Sequence, residues 1–232
     1  MKKVSLIIPC YNEEGNIPEI FKKIKKFNNF DNIEVILVNN GSTDLTKIEI
    51  LKIKNSLEFV KIVDIKKNQG YGHGILSGLK AASGNILCWT HADLQTDPLD
   101  ILKGLKYFDN DHENIFVKGR RYGRSFFDNF FTIGMSIFET ILLKKILWDI
   151  NAQPTMFSKS FFDSWENPPN DFSLDLYAFY LAKKRKFKFY RFKVFFDKRR
   201  FGESKWNTGL FSKIKFIKRT LVYSFNLNKY IK

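Results

Sequence analysis

The stretch "HADLQTDP" (residues 91–98) brings an imidazole, two carboxylates and a carboxamide close together, on His91, Asp93, Asp97 and Gln95. Carboxylate and amide oxygens suit Mg2+ or Mn2+, and an imidazole suits transition metals. One carboxylate and one amide are a thin cage for Mg2+, adequate when substrate phosphates supply further oxygens. On its own the stretch suits a metal site and an ordinary acidic loop equally. "DKRRFGESKW" (197–206) packs four cations, a glycine and a serine together. A solvated basic loop has this composition, and so does a folded turn that offers Arg forks and a hydroxyl to phosphate oxygens. "VNNGSTD" (38–44) places amides, a glycine and hydroxyls where they can meet a ribose or a base, and a plain loop looks the same. The turn "GYGHG" (70–74) lacks the Gly-Lys-Ser/Thr of a P-loop and the glycine spacing of the dinucleotide fingerprint. Its glycines fit a tight helix entry, and His73 reads as a solvated or capping residue.

The elements that must position these residues alternate. Strands are predicted over 3–9, 34–40, 58–65, 85–93 and 114–121. Helices are predicted over 14–27, from "GSTD" onward with Ser42 or Thr43 as N-cap, and from the glycine turn to about Ala82. This β-α-β-α order predicts a largely parallel sheet. Such sheets bind ligands beyond the carboxyl ends of their strands, so the loops at 9–13, 39–44 and 91–95 should converge. In the second half, helices are predicted over 126–147 and 171–186, and strands within 155–162 and over 187–196. From Thr208 an amphipathic pattern runs through Leu210, Ile214, Ile217, Leu221 and Phe225.

The chain has 232 residues, enough for one large α/β domain and short for two. Phe is heavily used, with 25 residues, most of which a Phe-rich core absorbs. The net charge of +15 is placed unevenly. Residues 1–182 balance, whereas residues 183–232 hold 17 Lys/Arg against two acids, Asp197 and Glu203. A basic segment of this kind seeks phosphate on nucleic acid, anionic lipid or substrate. Cys10 and Cys88 sit in apolar runs without a CxxC pair and read as reduced, buried thiols. The opening apolar run is too short and too soon acidic for a signal peptide. No stretch of 18 uncharged apolar residues is present.

Taken in order, the motifs resemble the family 2 glycosyltransferases, and within them the dolichol- and polyprenyl-phosphate mannose or glucose synthases. The likeness covers almost the whole chain. "VSLIIPCYNEEGNIPEI" is similar to the family's opening signature, which implies nucleotide binding at Pro9, Tyr11, Asn12 and Glu13. "VNNGSTDLT" is similar to its Asp-Asp-Gly-Ser-x-Asp-x-Thr motif, with Asn39 and Asn40 for both aspartates and Gly41 kept. "NQGYGHGILSGLKAASGNIL" resembles its Asn-x-Gly-x-Gly segment. "HADLQTDP" resembles its metal loop, with His91 for the first acid. "VKGRRY" resembles its Gly-Ser-Arg-Tyr, which puts Arg121 at a phosphate-contacting position. "WDINAQPTMFSK" stands where the family has an Asp followed by a Thr-Ser-Gly-Phe-type segment. "RRFGESKW" resembles the Arg-x-x-Gly-x-Ser-Lys motif of the lipid-phosphate branch.

The resemblance implies one mostly parallel α/β domain of the GT-A type over residues 1–207, followed by a basic amphipathic, membrane-facing segment over 208–232. It implies inverting transfer from a GDP- or UDP-linked sugar to a polyprenyl phosphate, with Mg2+ or Mn2+ on Asp93 and Gln95 and His91 as a weaker ligand or neighbour. Asp93, Arg121, Arg200 and Lys205 would carry the chemistry, and Arg199, Arg200, Ser204 and Lys205 would hold the acceptor phosphate. Asp175 matches an acidic position of the family with no role assigned. The expected location is cytoplasmic and peripheral, on the inner membrane face, with a membrane-spanning partner protein as an option and no nucleic acid. Two other readings stand beside this one. The first is a cytosolic enzyme that extends a polysaccharide or lipid-linked oligosaccharide. The second, motivated by Asn39, Asn40 and His91, is an inactive relative that binds nucleotide or lipid.

Overall fold

The computed structural model describes residues 3–108, 113–124, 126–202 and 218–227. Seven strands form one sheet: β1 (Val4–Cys10), β2 (Ile33–Asn40), β3 (Val60–Ile65), β4 (Ile86–Trp89), β5 (Ile115–Tyr122), β6 (Thr155–Ser158) and β7 (Lys188–Phe195). Their order across the sheet is β3-β2-β1-β4-β6-β5-β7. The ladders β1–β2, β1–β4, β2–β3 and β5–β7 are parallel. Strand β6 runs antiparallel to both β4 and β5. The mostly parallel sheet is therefore present, with one reversal that periodicity does not reveal.

β1 and β2 are nearly continuous apolar runs because both faces of the sheet are covered. Leu6, Ile8 and Cys10 point into one core, with Ile17, Ile20 and Ile24 of helix α1 (Ile17–Ile24) and Ile50 and Ile53 of α2 (Thr46–Ser56). Ile7, Leu87 and Trp89 point into the other. There they meet Ile75 and Leu79 of α3 (Tyr71–Ala81) and Tyr177, Phe179 and Leu181 of a later helix, numbered α7 (Leu174–Lys184). Phe116, Phe157, Phe161, Phe179 and Phe189 contact one another ring to ring, so much of the phenylalanine content is core. Both cysteines are free and buried.

Several expectations are corrected. The fourth strand ends at Trp89, not near 93, and Thr90–Asp97 is loop. Helix α2 starts at Thr46, and neither Ser42 nor Thr43 caps it; Asp44 Oδ1 accepts from the Thr46 amide at 3.0 Å instead. Two short helices, α4 (Ile101–Leu105) and α6 (Lys159–Asp163), lie where no helix was predicted. α5 (Phe126–Leu143) is the long helix expected over 126–147. Residues 218–227 are helical, with Ser224 and Leu227 buried, whereas most of the helix expected from Thr208 lies outside the described residues. Among the described residues, no helix is long and apolar enough to cross a membrane.

Candidate active site

The loops after β1 and β2 are laced together at the carboxyl edge of the sheet. The Asn12 amide donates to Ser42 Oγ at 3.1 Å, and the Thr43 amide donates to Asn12 Oδ1 at 2.8 Å. The Glu13 amide donates to Thr46 Oγ1 at 2.8 Å, and the Glu14 amide to Asp44 Oδ2 at 3.2 Å. This explains the capping correction: the hydroxyls serve a neighbouring loop, not their own helix. Asn12 (φ 55°) and Gly41 (φ 70°) take left-handed backbone conformations that turn the chain back. A Cβ on Gly41 would lie 2.3 Å from the Asn68 amide nitrogen, so no other side chain fits there without backbone movement.

Pro9 and Asn39 stand near the ends of paired strands, where Pro9 is in register with Val38 and Cys10 with Asn39. Asn39 donates to Asp64 Oδ1 at 2.7 Å and accepts from the Ser42 amide at 3.2 Å. Asp64 in turn holds Lys47 at 2.6 Å, which keeps its carboxyl below the usual range, with Asn39 assisting. Asp64 was missed in the sequence; its signal was a lone acid near the end of an apolar strand.

Beyond β4 the chain forms a tight loop. Thr90 and Thr96 hydroxyls meet at 3.1 Å, and Asp93 Oδ1 accepts from the Gln95 amide at 3.1 Å. Asp97 is committed elsewhere: it caps the turn at Leu99 and pairs with Lys23. The segment after β7 lies along this loop. The Asp197 amide donates to the Gln95 carbonyl at 2.8 Å, and Gln95 Nε2 donates to the Asp197 carbonyl at 3.2 Å. That second bond leaves the Gln95 amide oxygen for another partner. The same segment carries Arg199, which donates to Glu13 Oε1 at 2.5 Å. Burial raises the Glu13 pKa and the nearby Asp93 charge adds to this, against the Arg199 cation. Glu13, Asp93, Gln95 and Arg199, drawn from three distant parts of the sequence, therefore meet. Arg200 is 63% exposed beside Asp197, and Ser204 and Lys205 lie outside the described residues.

His91 stacks on Tyr71, with ring centroids 5.4 Å apart and planes 14° apart, and Tyr71 stacks on Phe172 behind it. Tyr71 opens α3 from the glycine turn. A Cβ on Gly70 would meet the Asn170 carbonyl oxygen at 2.4 Å, so the turn serves close approach, as the glycine pattern suggested. His73 is neither plainly solvated nor a cap: its Nδ1 is buried without a partner among the described residues. No three His, Cys, Asp or Glu side chains gather as a metal cage among the described residues. Asp93 and the Gln95 carboxamide oxygen are of the donor type that suits Mg2+ or Mn2+, and His91 lies two residues before Asp93.

Arg121, at the end of β5, is held by Asp149 through Nε at 2.8 Å and through a second amino nitrogen, and its own amide donates to the same carboxylate. Burial opposes the charge on Asp149, but Arg121 first and Arg191 after it hold its pKa below the usual range. Deeper, Lys118 and Asp175 form a buried pair at 3.6 Å. A lone lysine inside "IFVKG" was the available signal.

The glycosyl transferase family 2 model matches residues 5–175. The chain belongs to glycosyl transferase family 2. This family 2 chain is 35% identical over 127 residues to an uncharacterized glycosyltransferase, YkcC, of Bacillus subtilis, across 53% of its own length and 39% of the relative's. It is 32% identical over 120 residues to a dolichol-phosphate mannosyltransferase of Pyrococcus furiosus, across 52% of its length and 33% of the relative's. It therefore spans little more than a third of the curated relatives it matches. Glucosyl-3-phosphoglycerate synthase of Mycobacterium tuberculosis, solved with Mn2+, UDP and phosphoglyceric acid, superposes with a TM-score of 0.76 at 16% identity. That superposition covers 97% of this chain and 78% of the other, and it shows that the family 2 chain has the GT-A glycosyltransferase fold.

Proposed function

We propose that this protein transfers a sugar, with inversion, from a nucleoside diphosphate sugar to a polyprenyl phosphate at a membrane surface. The observation that carries the reading is the meeting of Glu13, Asp93 and Gln95 with Arg199 of the basic C-terminal segment. That arrangement sets a phosphate-seeking segment against the loops that face a donor.

In this reading Pro9, Tyr11, Asn12, Glu13, Asn39 and Gly41 shape the nucleotide pocket, with Asn39 and Asp64 presenting polar atoms to the ribose or base. Asp93 and the Gln95 oxygen, with His91 beside them, would hold Mg2+ or Mn2+, which would supply positive charge to the leaving diphosphate. Arg121 contributes a second positive charge, shared with Asp149. Arg199 exchanges Glu13 for phosphate oxygens, and Arg200, Ser204 and Lys205 hold the acceptor phosphate. A phosphate monoester is already anionic near neutral pH, so these residues have to position it and reduce repulsion, not deprotonate it.

The membrane-facing part is supported by an apolar ridge. Ile133, Ile137 and Ile141 follow one another along α5 and are 39%, 51% and 73% exposed. Val222 and Phe225 of the 218–227 helix are also exposed, and the Phe225 ring meets that of Phe138 on α5. Lys144, directly after α5, and Lys218, at the start of the 218–227 helix, are exposed cations, and Arg219 beside it pairs with Asp171 at 3.2 Å. An apolar strip among cations suits an anionic cytoplasmic leaflet. A peripheral location on the inner face, alone or with a membrane-spanning partner, follows from this reading.

Incubation with radiolabelled GDP- or UDP-sugars and polyprenyl phosphate tests it. A mild-acid-labile lipid-linked monosaccharide is expected. Label found only in polysaccharide or oligosaccharide favours the polymer-extending alternative, and no transfer with retained nucleotide binding favours an inactive relative.

A further inference from the structure

The Asp175 side chain, in the first turn of α7, is 2% exposed and lies 3.6 Å from the ammonium of Lys118, which is fully buried. Gln153 Nε2 donates to Asp175 Oδ1 at 2.8 Å and lies 3.5 Å from the Tyr71 hydroxyl. Lys118 Nζ also donates to Thr155 Oγ1 at 2.6 Å, which ties the cation to β6. The Gln153 carboxamide nitrogen therefore reaches both the Asp175 carboxylate and the Tyr71 hydroxyl. The Tyr71 ring is clamped between Phe172, at 4.7 Å and 9°, and His91, at 5.4 Å and 14°.

We propose that Asp175, with Lys118 as its counter-ion, is a positioning residue: it fixes the Gln153 carboxamide that reaches the Tyr71 hydroxyl, and through that ring sets the plane of the His91 imidazole, and it is not a proton acceptor in the transfer. The proposal rests on the reading of residues 91–95 as the metal and diphosphate loop. Three observations carry it. A general base has to come within hydrogen-bond reach of the proton that it removes, and the Asp175 carboxylate is buried and surrounded by donors of the protein itself. Its charge is matched by a buried cation, the arrangement a buried carboxylate needs when it stays in place. Finally, the Tyr71 ring is stacked between Phe172 and His91 and met at its hydroxyl by Gln153, so a turn of that ring disturbs the face it presents to His91. Groups that orient a ligating side chain in this way influence metal affinity although they never touch the metal.

The test reads the His91 imidazole directly. The chain has three histidines, and His91→Gln identifies the resonances of this one. In the ligand-free protein, Tyr71→Phe, which keeps the ring and removes the hydroxyl, and Asp175→Asn are expected to shift the His91 ring signals. Both are expected to weaken Mn2+-dependent binding of UDP or GDP by about tenfold, and to leave the shape of the kcat–pH profile unchanged. Lys118→Met combined with Asp175→Asn removes both charges and is expected to restore thermal stability without restoring the His91 signals. Unchanged His91 signals in Tyr71→Phe overturn the proposal, as does loss of an acidic limb of the kcat profile in Asp175→Asn. If Asp175→Asn does not fold, Tyr71→Phe still decides. Absence of Mn2+-dependent nucleotide binding in the unaltered protein overturns the proposed function, while the signals of the free protein still judge the positioning role.

Discussion

Arg199 donates to Glu13 Oε1 at 2.5 Å, although 186 residues separate the two. Both side chains are largely covered, at 21% and 11% exposure, so solvent screens the pair less than a surface ion pair. Contacting residues of this kind couple by roughly 0.5–3 kcal/mol. A double-mutant cycle with Glu13→Gln and Arg199→Met, followed by urea unfolding, is expected to give a coupling near 1 kcal/mol or above. Strict additivity would show that the C-terminal segment does not rest on the donor loop in solution. Arg199→Met is also expected to raise the KM for the acceptor lipid more than that for the donor.

The 91–95 loop separates its residues by role. Asp93 is the only carboxylate of the proposed ligand set, so Asp93→Ala is expected to abolish metal-dependent nucleotide binding and transfer. His91→Ala is expected to weaken the metal dependence without abolishing transfer, and His91→Asp to retain activity. Titration with Mn2+ in the presence of UDP or GDP measures all three. An Asp93→Ala protein with unaltered Mn2+ affinity would remove the loop from the metal site.

Glu139 is fully buried under the 218–227 helix, with Ser224 Oγ donating to it at 2.6 Å. Burial raises its pKa from 4.5 to about 7, against the Ser224 hydrogen bond. Between those values the folded chain keeps a proton that the unfolded chain releases, so stability falls as pH rises from 4.5 to 7 and the full penalty persists above 7. Glu139→Gln is expected to stabilise the protein at pH 8 by about 2 kcal/mol and to have little effect near pH 4.5. Equal effects at both values, by urea unfolding, would mean that water reaches the carboxylate.

The apolar ridge on α5 makes a membrane prediction. Replacing the exposed Ile137 and Ile141 with Asp removes two apolar contacts and adds charge that anionic lipid repels. Co-sedimentation with phosphatidylglycerol vesicles is expected to fall several-fold, with no change in melting temperature beyond a few degrees. Unaltered sedimentation would move the membrane contact away from this ridge.

Much of this protein was legible in its sequence because the information is local. Apolar runs such as "VSLIIPC" and "EVILVNN" announce strands covered on both faces, and their order predicts a parallel sheet whose loops converge at one edge. Left-handed turns were partly visible too, since Gly41 and Gly70 are the residues that accept such backbone. The β6 reversal was not legible: antiparallel and parallel strands carry the same side-chain alternation, and the choice depends on how the connecting chain returns.

The sequence by itself determined the family and the fold class, because each is written in contiguous residues of fixed type. Only the tertiary structure decided what those residues do to one another. It showed that Ser42 and Thr46 hold the loop after β1, that Asp149 occupies Arg121, that Glu13 receives Arg199, and that Lys118 neutralises Asp175 beneath the Tyr71–His91 stack. Pairings of this sort join positions tens to hundreds of residues apart. They depend on a few ångströms of separation and on shared burial, and neither quantity exists until the sheet has brought the strand ends together.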